Sequence, residues 1–425
     1  MKENQLHTPE GVRDILFTEY HQKNLIEQKI QTVFHQNGFW HVQTPMFEYY
    51  EVFSNEKGHI EPKQMYKFFD REGNILVLRP DMTPPIARIG ATTYRSESKP
   101  LRLCYLGNVF RYNENYQGKM REFTQAGVEI IGVDSTEADA ETLALGIQCL
   151  LACGLDQFQI DIGSIEFFKA IVEEAGLDDE TGETIRKFID SKDYIGVEEI
   201  ITQYPLKPSL KQLFLELPQL FGDIEILTKV KTMTQHPKAL KALNQLQELY
   251  EILCDYGVAQ YIFFDLGMVS RLHYYTGIIF RGYTYGSGAP ILYGGRYDGL
   301  LNEYGSLQPA VGFGLMINQL LQVLERQKIE IPVKKVDTLL VYSKAGREKA
   351  LAIGNILRKQ GLYVENSLLG EDLEQNKSYA KQKDIKGILY FQNDEDIMLI
   401  NMKTKEMIHT TVSDLLKHPK EEFSL

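Results

Sequence analysis

No compact motif of the kind that announces a phosphate, a metal or an activated nucleophile occurs in this chain. A Walker loop, a Gly-x-Gly-x-x-Gly turn opening a helix, a His-Glu-x-x-His helix and a Gly-x-Ser-x-Gly elbow are all missing from the sequence. Any chemistry therefore rests on polar residues scattered along strands. Gln125 and Glu129 stand four apart in Phe123 to Gly132, a run that reads as a strand, so both face the same side. Read alone, Glu129 is a solvated strand residue. Asp81 follows Pro80 just before a helix, where a carboxylate either caps the helix or meets a ligand, and the two roles are compatible. Tyr274 and Tyr275 are adjacent in an extended run and alternate faces, which puts one of them in the core. Gly294 and Gly295 either line a pocket or permit close backbone packing. Arg296 is either a pocket residue or a structural ion-pair partner of Asp298 or another acid. The four cysteines, Cys104, Cys149, Cys153 and Cys254, include no Cys-x-x-Cys pair and read as core thiols, with no metal and no disulfide.

The elements that must position these residues are legible from periodicity. Tyr20 to Asn37 is an amphipathic helix with Leu25, Ile26, Ile30, Val33 and Phe34 on one face, ended by Gly38. Trp40 to Thr44 reads as a strand stopped by Pro45. Met65 to Asp70 and Asn74 to Leu78 flank a turn and form a hairpin. Leu101 to Tyr112 and Phe123 to Gly132 are two longer strands joined by the polar loop Asn113 to Arg121, and Thr136 to Cys153 is an apolar helix. From about Ser164 to Tyr256 helical patterns dominate, at Ile165 to Ala175, Thr184 to Ile189, Val197 to Thr202 and Pro237 to Cys254. Strand patterning returns at Tyr261 to Asp265, Tyr274 to Tyr283 and Ile291 to Tyr293. Val311 to Leu324 begins with small residues and becomes helical. After the linker Ile329 to Val336, strands and helices alternate, which predicts a small, largely parallel or mixed sheet.

The bulk properties bound the function. A chain of 425 residues predicts two or three domains. The net charge is −12, from 46 Lys and Arg against 58 Asp and Glu, which disfavours broad nucleic-acid binding. No apolar run approaches the roughly 20 residues of a membrane helix. Met1 to Glu10 is polar and lacks the core of a secretory signal, so the expectation is a soluble, cytoplasmic chain.

Four separated segments together resemble class II aminoacyl-tRNA synthetases, and specifically histidyl-tRNA synthetase. They are Arg79-Pro80-Asp81-Met82-Thr83; Gly107 to Tyr112 with Arg121 to Glu129, which is similar to motif 2; Leu272 to Tyr275 with Gly294 to Gly299, which resemble the two histidine-specific signatures; and Ala310 to Leu320, which resembles motif 3. Pro45 fits motif 1, at the dimer interface. The resemblance implies an α/β (α+β) fold with a class II synthetase-like antiparallel sheet flanked by helices. The implied domains are a discontinuous catalytic-type domain over 1–163 and 257–328, a helical insertion over 164–256, and an anticodon-binding-like α/β domain over 334–425. It also implies a histidine pocket formed by Asp81, Thr83, Arg111, Gln125, Glu129, Tyr274 and Tyr275. In the family, Asp81 and Thr83 would receive the ammonium and Gln125 would offer an amide near the backbone end. Glu129 would accept from one imidazole N–H, and the Tyr275 hydroxyl would engage the other nitrogen. An acceptor and a switchable donor suit an imidazole, whose two nitrogens play different roles.

The chain departs from the synthetase pattern on the ATP side. The family reads Arg-Gly-Leu-Asp-Tyr-Tyr where this chain has Ser270-Arg271-Leu272-His273-Tyr274-Tyr275, so Ser270 takes the arginine position. Arg271 points to the opposite face of a regular strand. Asn318-Gln319 stands where motif 3 carries Glu-Arg, Asn113 where motif 2 carries Glu, and Asp81 where Glu is usual. Losing one donor to the transition state costs about 10²–10³ in rate, so two missing arginines predict silent adenylation and no catalytic residues. A histidine sensor on a synthetase scaffold resembles the regulatory-subunit family of ATP phosphoribosyltransferase. That resemblance implies a partner, the short-form catalytic subunit, which it activates in the first step of histidine biosynthesis. It further implies free histidine as a feedback ligand, a homodimer within a hetero-oligomer, and no cofactor, metal, membrane or tRNA. The alternatives are an atypical histidyl-tRNA synthetase and a non-catalytic tRNA- or partner-binding module.

Overall fold

The computed structural model describes residues 6–54, 60–112, 120–269, 275–393 and 396–411, which form two compact units, Met1–Ile331 and Pro332–Leu425. The first unit opens with helix α1 (Phe17–Gln36) and the short strand β1 (Trp40–His41). A three-stranded antiparallel sheet follows, made of β2 (Phe47–Tyr49), β3 (Lys67–Phe69) and β4 (Ile75–Leu78) in the order β2-β4-β3. Then come α2 (Thr83–Ala91), the long strands β5 (Leu101–Phe110) and β6 (Glu122–Ile131), α3 (Thr136–Ala152) and β7 (Phe158–Ser164). A helical stretch holds α4 (Ile165–Glu174), α5 (Asp179–Asp190), α6 (Tyr194–Ile201), α7 (Pro208–Glu216), the two-residue β8 (Phe221–Gly222), α8 (Glu225–Lys231) and α9 (Pro237–Asp255). The unit closes with β9 (Ile262–Asp265), β10 (Ile278–Thr284), β11 (Leu292–Arg296), β12 (Ala310–Met316) and α10 (Ile317–Arg326).

Nine of these strands make one sheet, in the order β1-β5-β6-β12-β11-β10-β7-β9-β8. Only β1 with β5 and β7 with β9 run parallel; the other neighbours are antiparallel. One face is covered by α1, α3, α4, α9 and α10 over a large core that includes Ile26, Phe34, Cys104, Val128, Ile147, Phe167, Leu246 and Phe313. The other face carries a smaller core of Met82, Ile86, Leu103, Tyr105, Ile131, Tyr297 and Leu301 beside α2. Side-chain caps fix several helix starts: Ser135, Ser164 and Asp178 each accept a backbone N–H from the first turn that follows.

The Pro332–Leu425 unit has a five-stranded sheet of β13 (Thr338–Tyr342), β14 (Val364–Asn366), β15 (Gly387–Phe391), β16 (Ile397–Asn401) and β17 (Met407–Thr410), in the order β14-β13-β15-β16-β17. The first two pairings are parallel and the last two antiparallel, so the sheet is mixed. Helices α11 (Arg347–Lys359) and α12 (Leu373–Gln382) each bury an apolar stripe in one of two separate cores.

Three features go beyond the sequence pattern or depart from it. The strand expected from Tyr274 begins at Ile278, and Tyr275 lies in the connection before it, tied down by Thr276 N–H donating to the Arg296 carbonyl at 2.8 Å. Ala310–Met316 is a strand despite Gly312 and Gly314, because β6 and β11 pair with both of its edges. The strands Phe47–Tyr49, Phe158–Ser164 and Met407–Thr410 and the helices Pro208–Glu216 and Glu225–Lys231 also escaped sequence reading.

Candidate ligand pocket

A cavity of about 890 Å³ opens within the first unit, on the face of the large sheet that carries the smaller core. Its floor is built by β6 and β12. Gln125 and Glu129 share one face of β6, and Glu129 is directly opposite Gly312 in the antiparallel register. A Cβ at Gly312 would fall 1.7 Å from Glu129 Oε2, and one at Gly314 would fall 2.1 Å from Gln125 Nε2. The two glycines of β12 thus make the space into which the polar side chains of β6 fold.

Glu129 is 1% exposed and is held from both sides. Thr83 Oγ1 donates to Oε1 at 3.0 Å and the Tyr297 hydroxyl donates to Oε2 at 2.5 Å. Burial pushes its carboxyl up to about 8, against the two hydroxyl hydrogen bonds that pull it down; nearby Asp81 adds to the rise. Burial, reinforced by the Glu129 charge, likewise raises the Tyr297 and Tyr105 hydroxyls well above their ordinary range, so both stay donors. Gln125 donates from Nε2 to the Tyr105 hydroxyl at 3.3 Å. Its buried Oε1 has no hydrogen-bond partner among the described residues. A buried acceptor left open beside a carboxylate is a place for a ligand donor.

Asp81 is buried at the start of α2. Its Oδ1 accepts from the backbone N–H of Met82 at 2.7 Å, and its Oδ2 is 3.9 Å from the Arg111 guanidinium. The helix-start role therefore occupies one oxygen and leaves the other toward the cavity. Arg111 donates from Nε to the Pro80 carbonyl at 2.7 Å and lies over the Phe123 ring. Tyr275 lines the cavity and packs on the backbone of Gly295, where a Cβ would come within 2.8 Å of its ring. Asp81, Thr83, Arg111, Gln125, Glu129 and Tyr275 thus all line one cavity. Tyr274 lies outside the described residues, as do Ser270, Arg271 and Asn113.

Arg296 is a structural residue. It is buried against Asp139 at the start of α3, with Nη2 to Oδ1 at 2.6 Å, and it also reaches the Ser135 and Val133 carbonyls. Asp298, which the sequence offered as a partner, is farther away at 3.4 Å. Sequence reading missed Tyr297 as a pocket residue, although it lies inside the quoted Gly294 to Gly299 segment. The signal for Gly312 and Gly314 was their period of two, which marks one strand face. Arg281 and Arg326 also line the cavity and were not anticipated. Arg326 donates to the Gly286 carbonyl. Arg281 is opposite Asp161 of β7, whose carboxyl burial raises to about 6 against the Gln159 hydrogen bond and, more weakly, the Arg281 charge. On the same side, Asn318 spends its Oδ1 on the Thr124 N–H at 2.7 Å, and Gln319 is neutral.

A family model described as histidyl-tRNA synthetase matches residues 11–320. The ATP phosphoribosyltransferase regulatory subunit of Acetivibrio thermocellus is 48% identical over 98% of this chain and 100% of its own length. That of Ruminiclostridium cellulolyticum is 43% identical over 97% of this chain and 99% of its own. Among solved structures, an ATP phosphoribosyltransferase regulatory subunit/histidyl-tRNA synthetase from Bacillus halodurans superposes with a TM-score of 0.80 at 32% identity, covering 91% of this chain and 97% of that one. Histidyl-tRNA synthetase from Nostoc sp. superposes at 0.82 and 20% identity, over 98% of this chain and 99% of that one, which establishes the fold alone.

Proposed function

The chain belongs to the family of ATP phosphoribosyltransferase regulatory subunits, built on the histidyl-tRNA synthetase fold, and from that premise we propose that it senses free histidine in the cavity above Glu129. As a regulatory subunit it acts on the enzyme of the first step of histidine biosynthesis. The finer reading is that it activates a short-form catalytic subunit and returns it to low activity when histidine is bound. The observation that carries this reading is the cavity floor: a buried carboxylate between two donor hydroxyls, beside an amide oxygen with no described partner. A histidine fits those groups by chemistry. Its imidazole N–H finds Glu129, its ammonium finds Asp81, Thr83 and the Gln125 oxygen, and its carboxylate finds Arg111. Tyr275 and Tyr274 complete the set.

The ATP side supports a non-catalytic subunit. Gln319 offers no charge, Arg326 is engaged with the Gly286 carbonyl, and Arg281 stands opposite Asp161 across β10 and β7. Stabilising a pentacovalent phosphorus needs cations aimed at its oxygens, so engaged or missing ones slow the step. No cofactor, metal or tRNA enters this function. The domain limits 1–163 with 257–328, 164–256 and 334–425 belong to the same proposal, as does a cytoplasmic complex.

The homodimer of the proposal rests on an apolar surface. Trp40 is 77% exposed on the edge strand β1, and the β2-β4-β3 sheet turns Phe47, Tyr49 and Phe68 to one exposed face, with the Phe47 and Phe68 rings 6.0 Å apart. Exposed aromatic clusters mark interaction surfaces, and a two-fold dimer would cover them with the same patch of a second copy. No helix among the described residues is long and apolar enough to cross a membrane.

The test is reconstitution. Mixed with a short ATP phosphoribosyltransferase, the chain raises turnover, and histidine lowers it again. Glu129→Ala shifts the histidine curve to higher concentration while assembly and basal activation persist. Superimposable curves for the two forms would place feedback at another site.

A further inference from the structure

Away from the cavity, three metal-ligating side chains meet where α1, β1 and β5 come together. His35 lies in the last turn of α1, His41 is the second residue of β1, and Cys104 lies in β5. The turn from α1 to β1 passes through Gly38 in the left-handed region, at φ 78°, where glycine is strongly favoured. It returns the chain so that the two imidazole rings stand 6.4 Å apart, edge to face. Strand β1 pairs parallel to β5 with His41 in register with Cys104, and the Val42 N–H donates to the Cys104 carbonyl at 2.9 Å. Cys104 Sγ is 3.9 Å from His41 Nδ1, and one donor atom from each of the three residues lies within 4.8 Å of the others. We propose that His35, His41 and Cys104 form a zinc site with a fourth position open to water or another ligand.

The donor set and the geometry both point to zinc. Two imidazole nitrogens and one sulfur suit a borderline-soft ion that accepts tetrahedral coordination, and they suit magnesium or calcium poorly. Zinc–nitrogen bonds of about 2.0–2.1 Å and a zinc–sulfur bond of about 2.3 Å set tetrahedral ligand atoms roughly 3.3–3.6 Å apart. The three donors need to close by about 1 Å, which rotation of two exposed imidazoles supplies. Cys104 would ligate as the thiolate, its proton released to solvent as the ion binds. The apolar core explains Cys104, but it does not explain two imidazoles converging on its sulfur.

The site is separate from the histidine cavity. Leu103 is opposite Glu129 across β5 and β6, whereas Cys104 is opposite Val128, so sulfur and carboxylate lie on different faces of the sheet. A bound ion would tie the end of α1 and the edge strand β1 to β5. The proposal does not depend on the regulatory reading.

The experiment uses the full chain stripped with a chelator and titrated with Co²⁺, then Zn²⁺. The expected result is one Co²⁺ per chain, with a thiolate-to-cobalt charge-transfer band and tetrahedral d–d bands, all lost on adding Zn²⁺. Cys104→Ser removes the charge-transfer band, and Cys254→Ser retains it. His35→Asn and His41→Asn each weaken binding by at least the roughly 10- to 100-fold that loss of an outer-shell partner costs. Both histidines are exposed, so these variants keep the test alive if Cys104→Ser disturbs the core. No charge-transfer band in the unmodified chain overturns the proposal. A band that survives Cys104→Ser, or an affinity unchanged in both histidine variants, does so equally.

Discussion

Replacing Glu129 by glutamine keeps the shape of the cavity floor while removing a group that can ionise and one acceptor oxygen. The native carboxyl takes the Thr83 hydroxyl on one oxygen and the Tyr297 hydroxyl on the other, with a lone pair left for an imidazole N–H. Glutamine has a single acceptor oxygen, and its NH₂ group must face one of those hydroxyls. At least one of three donors then loses its partner. A buried hydrogen-bonding group left without its partner costs about 1–3 kcal/mol, which is about 5- to 150-fold in the Kd for histidine. Titration calorimetry reads this directly. A second readout follows from the proton. Glu129 rises from its ordinary 4.5 to about 8 in the folded chain. Between those values the folded chain holds a proton that the unfolded chain has released. The stability linked to this group is therefore complete below about pH 4.5 and is lost as pH rises through about 8. The loss is on the order of a few kcal/mol. Glu129→Gln cannot titrate, so its stability curve, measured by denaturant unfolding, should lack that decline. Equal histidine affinity together with parallel pH curves would refute both the contact and the buried proton.

Histidine-dependent exchange between ATP and pyrophosphate should stay at background, and Ser270→Arg should not restore it while Gln319 remains neutral; turnover like that of an ordinary synthetase would promote the enzyme reading. Gly312→Ala places a methyl 1.7 Å from Glu129 Oε2 and 2.4 Å from the Val128 carbonyl, so it should destabilise the fold by about 1–3 kcal/mol in denaturant and abolish histidine binding. Phe47→Glu together with Trp40→Glu should convert a dimer to a monomer in light scattering, and a native chain already monomeric at micromolar concentration would remove the dimer from the proposal. Tyr275→Phe should raise the histidine concentration needed for inhibition of the reconstituted complex without changing its assembly.

Much of the framework was written locally. A period of 3.6 marked the helix Phe17–Gln36, and a strand-like run marked Glu122–Ile131, so Gln125 and Glu129 could be placed on one face before any fold was known. The four synthetase-like segments placed Asp81, Thr83, Arg111 and Tyr275 near them, and all six line one cavity. Short strands such as Phe158–Ser164 stayed hidden because their pairing partners, β10 and β9, lie about a hundred residues downstream.

Tertiary structure alone decided the partners. Tyr297 reaches Glu129 across 168 residues of chain, and Arg296 finds Asp139 across 157, preferring it to the acid two positions away. The sequence determined which side chains can accept, donate or ligate and which face of an element they occupy, because those properties follow from covalent chemistry and a local period. It could not say which elements become neighbours. That depends on how nine strands order themselves in one sheet, and a cavity floor, a buried ion pair and two histidines closing on a cysteine all exist only once that order is set.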